Sequence, residues 1–157
     1  MISVLQRVDS GSVKVKNKIV GKISRGFVIL LGISKADKET DADYLVEKII
    51  NLRIFNDHDK KMNLSIKEVR GSALIISQFT LCADIKKGRR PSFINAAEPN
   101  KAKNLYRYFI EKIHLKKIPL ETGEFGAEMK VGLVNNGPVT LVSVSYTHLT
   151  LPTIYSV

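Results

Sequence analysis

The chain is poor in the residues from which protein catalysts are usually assembled: of its 157 residues, one is cysteine and three are histidine. Cys82 therefore has no partner for an intramolecular disulfide. Its neighbours Leu81 and Ala83 supply neither a base nor a positive charge, so it reads as a small buried or half-buried side chain rather than a reactive thiolate. His58 falls in a wet turn, His114 at the end of a helical stripe and His148 close to the C-terminus, and no Ser/His/Asp or Cys/His arrangement follows from that scatter. No apolar run approaches the roughly 18 residues of a membrane helix. No N-terminal stretch combines a basic start, an apolar run and a small-residue cleavage site. The expectation is a cytoplasmic protein with no membrane partner. Acidic residues are also scarce, 15 against 25 Lys and Arg, and the resulting formal charge of +10 attracts polyanions. A nucleic acid, a phosphorylated ligand and an anionic surface all fit that charge. After Lys130 there is no charged residue at all. Ser145 to Val157 is Thr/Ser-rich and includes Pro152 and Tyr155, and it reads as an added strand, a tail or a piece foreign to the domain.

What is present suffices for one well-buried core, with 44% hydrophobic residues in a chain too short to favour two domains. The expected division is a folded domain over 1–144 and an atypical segment over 145–157. Ile2 to Val8 and then Val13 and Val15, separated by the turn-forming Asp9-Ser10-Gly11-Ser12, predict two short strands. Asn17-Lys18 predicts a hairpin return into Ile19-Val20-Gly21, and Phe27 to Ile33 a central strand. Leu45, Ile49 and Leu52 recur at helical spacing within 37–52, and Ala102, Leu105, Phe109 and Ile113 do so after Pro99, which is tolerated in a first turn. Tyr106 and Tyr108 flank that second stripe and are read as packing residues. Ile54-Phe55 begins a short strand before the turn 56–61, whose Asp57, His58 and Asp59 are read as solvated rather than metal-binding. Ala73 to Ile76 forms another buried strand, Met129, Val131 and Leu133 alternate in a further one, and Val139, Leu141 and Val144 suggest one more.

Two polar segments tied to these strands carry the chemistry. Ser77-Gln78-Phe79-Thr80 ends the Ala73 to Ile76 strand, where hydroxyls, an amide and backbone donors can face a carbonyl or ester oxygen. Asn135-Asn136-Gly137-Pro138-Val139-Thr140 reads as a turn between two strands; Gly137 allows close approach to a ligand and Pro138 restricts the backbone. Ser77 and Thr80 are weak nucleophiles without a positioned base. Lys86-Lys87-Gly88-Arg89-Arg90-Pro91 is a basic loop, which with Arg7 could contact phosphate or simply be solvated.

The ordered set Gln6-Arg7-Val8, Ser77-Gln78-Phe79-Thr80-Leu81, Gly88 with Arg90-Pro91-Ser92-Phe93, Thr122-Gly123 with Phe125-Gly126-Ala127 and Met129, and Asn135 with Gly137-Pro138-Val139-Thr140 resembles the D-aminoacyl-tRNA deacylases over about residues 1 to 142. The resemblance implies an α/β single domain with an antiparallel β-rich sandwich or barrel-like core and two principal packed helices. It implies a homodimer that hydrolyses the ester of D-aminoacyl-tRNA, with glycyl-tRNA as a further substrate, and no cofactor or metal. Ser77, Gln78, Phe79 and Thr80 would hold the adenosine and ester. Gly137 and Pro138, as a Gly-cisPro pair inserted into the partner's site, would exclude L-amino acids, with Met129 on the substrate side. The terminal ribose 2′-hydroxyl would assist the attack of water. Asn136 stands where the family commonly has aspartate, and the end after Val142 departs from the family's acidic finish; a small effect is expected from the first and an altered seam from the second. A non-catalytic basic RNA-binding protein is the competing reading.

Overall fold

The computed structural model describes residues 1–145. Strand β1 (Ile2–Val15) turns through Lys16 and Asn17, whose φ angles of 51° and 65° suit a two-residue hairpin loop, into β2 (Lys18–Ile23). The chain then forms β3 (Gly26–Gly32), helix α1 (Glu39–Asn51), a small hairpin of β4 (Phe55–Asn56) and β5 (Met62–Leu64), β6 (Ser72–Ser77), helix α2 (Pro99–Leu115), β7 (Leu120–Thr122) and β8 (Lys130–Val144).

The two strands expected in the first fifteen residues are one. β1 is long because both its edges are used: one pairs with β3 over Ile2 to Val8 and with β2 over Gly11 to Val15, and the other pairs with β8 throughout. The Asp9-Ser10-Gly11-Ser12 composition marks a place where the β1–β8 register shifts, between Val8 and Ser10, rather than a reversal of the chain.

β1 is antiparallel to all its neighbours, but β3, β6 and β7 run parallel to one another. Parallel neighbours need long crossovers. Helix α1, followed by the small hairpin, makes the first, and α2 makes the second. β7 was missed by pattern reading because its three residues are too few to show a period. At the far edge the sheet curls toward closure: a Cβ on Gly21 of β2 would lie 2.7 Å from the Thr122 carbonyl oxygen of β7.

One face of the sheet packs on the helices. Ala42, Leu45, Val46 and Ile49 of α1 and Leu105, Tyr106, Phe109 and Ile113 of α2 meet Leu5, Phe27, Ile29, Leu31 and Ile75. A second cluster, Val8, Val13, Ile23, Val28, Leu74 and Ile76, fills the inside of the curl, with Met129 and Leu133 against it. α2 opens with Glu98, whose carboxylate accepts the N–H groups of Asn100 and Lys101, and Pro99 takes the first turn. The Met1 ammonium is buried, 2.6 Å from Asp37 Oδ1 and 2.9 Å from Ser145 Oγ, while Asp37 Oδ2 accepts from Ser34 N and Oγ. Ser145, assigned by sequence to the atypical segment 145–157, is thus fully buried within the fold; the rest of that segment, with His148, lies outside the described residues.

Tyr106 joins the helix layer to the strand that carries the polar segment. Its hydroxyl donates to the Ile75 carbonyl at 2.8 Å, an oxygen that also accepts from Gly123 N at 3.1 Å. Burial pushes this phenol well above the ordinary tyrosine range, so it stays a neutral donor. Tyr106→Phe should lower the unfolding free energy by about 1 kcal/mol in urea titrations; an unchanged midpoint would show that the bond contributes nothing.

Candidate active site

The end of β6 opens into a cavity of about 450 Å³. Ser77, Gln78 and Phe79 form one side, Ala96, Ala97, Pro99 and Ala102 at the start of α2 another, and Phe125, Gly126, Ala127 and Met129 a third, with Leu31, Ile33 and Ile76 at the apolar base. Gln78 N donates to the Leu31 carbonyl at 2.8 Å, which ties the strand end to β3. The chain then tightens into a single 3-10 turn over Phe79–Cys82. The first N–H groups of such a turn lack partners inside it; Phe79, which opens the turn, lines the cavity, and Thr80, next in the turn, does not.

Thr80 is exposed, and among the described residues the hydrogen-bond partner of its hydroxyl is the Gln78 side-chain amide. An amide cannot take a proton from it, so this partner is no activating base. Cys82 is buried, and burial first, then the charge of Asp37, pushes its thiol above the usual range, in keeping with a packing role. His58 sits exposed beside Asp59, and Asp57 accepts the N–H groups of Asp59 and Lys61, which lowers its carboxyl and makes 56–61 a self-contained turn. Among the described residues, no three His, Cys, Asp or Glu side chains gather as metal ligands would.

The second polar segment is not a turn between two strands. Both of its flanks belong to β8 and pair with β1: Thr140 lies opposite Gln6 and Asn135 opposite Val8, which leaves Asn136, Gly137, Pro138 and Val139 opposite Arg7 alone. The surplus bulges outward. Asn135 closes its base, with Oδ1 accepting Val139 N at 2.7 Å and Nδ2 donating to Thr140 Oγ1 at 3.0 Å. At its tip the Gly137-Pro138 peptide bond is cis and Gly137 has φ of 138°. A Cβ there would come within 2.7 Å of Val139 Cγ2 and 3.0 Å of Arg7 Nη2.

Arg7 belongs to this bulge rather than to the basic loop with which sequence grouped it. It is 7% exposed; Nε donates to the Asn136 carbonyl at 2.9 Å, and Nη1 to the Ile54 carbonyl at 2.7 Å and Asn56 Oδ1 at 3.1 Å. Lys86, Lys87, Arg89 and Arg90 are exposed on a loop closed by Asp84 and Ser92, which exchange two backbone bonds of 2.8 Å. Within one chain, then, Met129 joins Ser77, Gln78 and Phe79 at the cavity, whereas Gly137 and Pro138 do not line it. The wall residues Ala96, Ala97 and Pro99 carried no chemical signal in the sequence. Phe93, 5.0 Å from Phe79 between ring centroids, could have been noticed only through the Arg90-Pro91-Ser92-Phe93 string.

A family model described as D-Tyr-tRNA(Tyr) deacylase matches residues 4–143. The chain belongs to the D-aminoacyl-tRNA deacylase family. It is 57% identical to a D-aminoacyl-tRNA deacylase of Thermosipho melanesiensis over 143 residues, 90% of this chain and 95% of the relative. It is 55% identical to one from a Sulfurihydrogenibium species over 142 residues, 90% and 96% of the two chains. Among solved structures, the c-Myc DNA Unwinding Element Binding Protein superposes with a TM-score of 0.86 at 37% identity, over 91% of this chain and 97% of that one. A probable eukaryotic D-amino acid tRNA deacylase shares the fold, with a TM-score of 0.77 at 19% identity over 90% and 97%. Membership makes the chain a hydrolase, a D-aminoacyl-tRNA deacylase, and removes the non-catalytic RNA-binding alternative.

The bulge is also tied to β1 through the Asn136 side chain. Asn136 Nδ2 donates to Asp9 Oδ1 at 2.8 Å, so a carboxylate in its place would face a carboxylate. Asn136→Asp should therefore cost about 0.5–1 kcal/mol at pH 7. Apposition raises the folded-state carboxyl pKa, so the loss should shrink as pH falls through that raised value and the proton returns. Urea midpoints at pH 7 and pH 4 check this; a loss that grows toward pH 4 would contradict it.

Proposed function

We propose that the β6-end cavity holds the 3′-terminal adenosine and ester of D-aminoacyl-tRNA, and that the enzyme edits by releasing a free D-amino acid and reusable tRNA. The observation that carries this reading is a largely apolar cavity with hydroxyl, amide and backbone donors at one rim, beside a Thr80 hydroxyl whose partner among the described residues is an amide and not a base. An aminoacyl ester is already activated, so positioning supplies much of the rate. Water adds to the ester carbonyl, the developing oxyanion is met by N–H groups at Phe79 and Thr80, the bond to the ribose 3′-oxygen breaks and that oxygen leaves with a proton. The 2′-hydroxyl beside it assists the attack of water. Ser77 and Gln78 hold the adenosine and ester, and Thr80 serves as a positioned hydroxyl rather than a nucleophile.

Selection belongs to the bulge. Gly137 and Pro138 are exposed and stand away from their own chain's cavity, which supports insertion into the cavity of a second copy. β8 offers the seam: Val134 and Val142 are 56% and 69% exposed, and among the described residues the strand pairs only with β1. In such a homodimer the tip rejects the side chain of an L-amino acid, glycine has none to reject, and glycyl-tRNA is a further substrate. A cytoplasmic location accords with tRNA as the substrate.

D-aminoacyl-tRNA ending in 2′-deoxyadenosine should bind normally yet be hydrolysed at least about 100-fold more slowly in single-turnover assays. Hydrolysis at the full rate would contradict the ribose-assisted route.

A further inference from the structure

We infer that Phe93 and the basic loop before it form a stacking site for the nucleotide immediately 5′ of the terminal adenosine, an unpaired RNA segment lying outside the cavity. The inference rests on the proposed seating of the 3′-adenosine. Phe79 lines the cavity yet is 56% exposed, and the ring of Phe93, 39% exposed, stands against it at 5.0 Å and 64°. Both rings therefore keep aromatic surface open to solvent. Two exposed rings side by side are unusual unless something covers them.

The charge beside them indicates what does. The paired backbone bonds between Asp84 and Ser92 pinch off the loop 85–91, so its cations emerge next to Phe93. Lys86, Lys87, Arg89 and Arg90 are all exposed, and none enters an ion pair among the described residues. Phe93 itself is held in place: its carbonyl accepts Ala96 N at 3.0 Å, and Ala97 N donates to the Ile33 carbonyl at 2.9 Å. An anchored aromatic face flanked by unpaired cations matches the alternation of base and phosphate in a single strand, for which stacking is sequence-tolerant. The apolar surface of a second copy, the other candidate cover, offers the four cations no partner on β8, which carries no carboxylate.

The test compares two substrates, D-aminoacyl-tRNA and the same amino acid esterified to adenosine alone, with wild type, Phe93→Ala and Phe93→Tyr. Phe93→Ala should lose at least about five-fold in kcat/KM on the tRNA, mainly through KM, and nothing on the adenosine ester; Phe93→Tyr should recover most of the loss. Equal losses on both substrates would overturn the inference, because Phe93 would then act through Phe79 on the reacting ester. So would no loss on tRNA, or a change in solution mass showing that Phe93 holds a dimer together. Wild type inactive on both substrates would overturn the deacylase reading and this inference with it, whereas an active wild type with equal losses overturns this inference alone.

Discussion

The Arg7 guanidinium is almost fully enclosed, and its hydrogen bonds go to neutral oxygens: the carbonyls of Asn136 and Ile54 and the side chain of Asn56. A buried charge is tolerable only when its donors are met, and bonds to a charged donor contribute about 1.5–3 kcal/mol each. Here those bonds tie together β1, the β8 bulge and the small β4–β5 hairpin. They also fill the gap left where four residues of β8 face one of β1. With Asn135 at the base of the bulge, Arg7 fixes the shape of the surplus residues, and the proposed rejection of L-amino acids depends on that shape.

The site depends on the same strand in a second way. β1 pairs with β3, and β3 with β6, so the register that sets the bulge also sets where Ser77, Gln78 and Phe79 emerge. In the proposed function the protein contributes holding and exclusion, through the strand end, a cavity with apolar walls and a bulge braced by Asn135 and Arg7. In that function, proton chemistry is left to water and ribose. Few histidines and a single buried thiol are what such a division of labour requires.

Much of this could be read directly from residues. The α2 stripe Leu105, Phe109 and Ile113 with Pro99 at its start, the apolar run of β3, and the polar Ser77 to Thr80 at the end of β6 all have local signatures that survive into the structure. What was misread is non-local. Asp9-Ser10-Gly11-Ser12 and Asn135 to Pro138 have turn composition, but each occurs within a strand because a partner strand continues past it. Composition marked the irregularity correctly and could not say whether the chain reverses there. Arg7 looked like a surface cation because nothing near it in sequence reveals that the Ile54 and Asn136 carbonyls converge on it. Ala96, Ala97 and Phe93 reach the cavity region only through the fold.

The central claim is that the cavity of one chain and the Gly137-Pro138 bulge of another make one site. Two variants separate the parts: Phe79→Ala damages the cavity, and Gly137→Ala, whose added Cβ collides with Val139 and Arg7, damages the bulge. The decisive measurement is the ratio of D- to L-aminoacyl-tRNA hydrolysis by the two variants unfolded and refolded together, compared with Gly137→Ala refolded alone. If the parts are shared across a dimer, the mixture is more D-selective than Gly137→Ala alone, because each mixed dimer holds one site with both parts intact and one with a damaged cavity. A mixture with the same D/L ratio as Gly137→Ala alone would contradict the account.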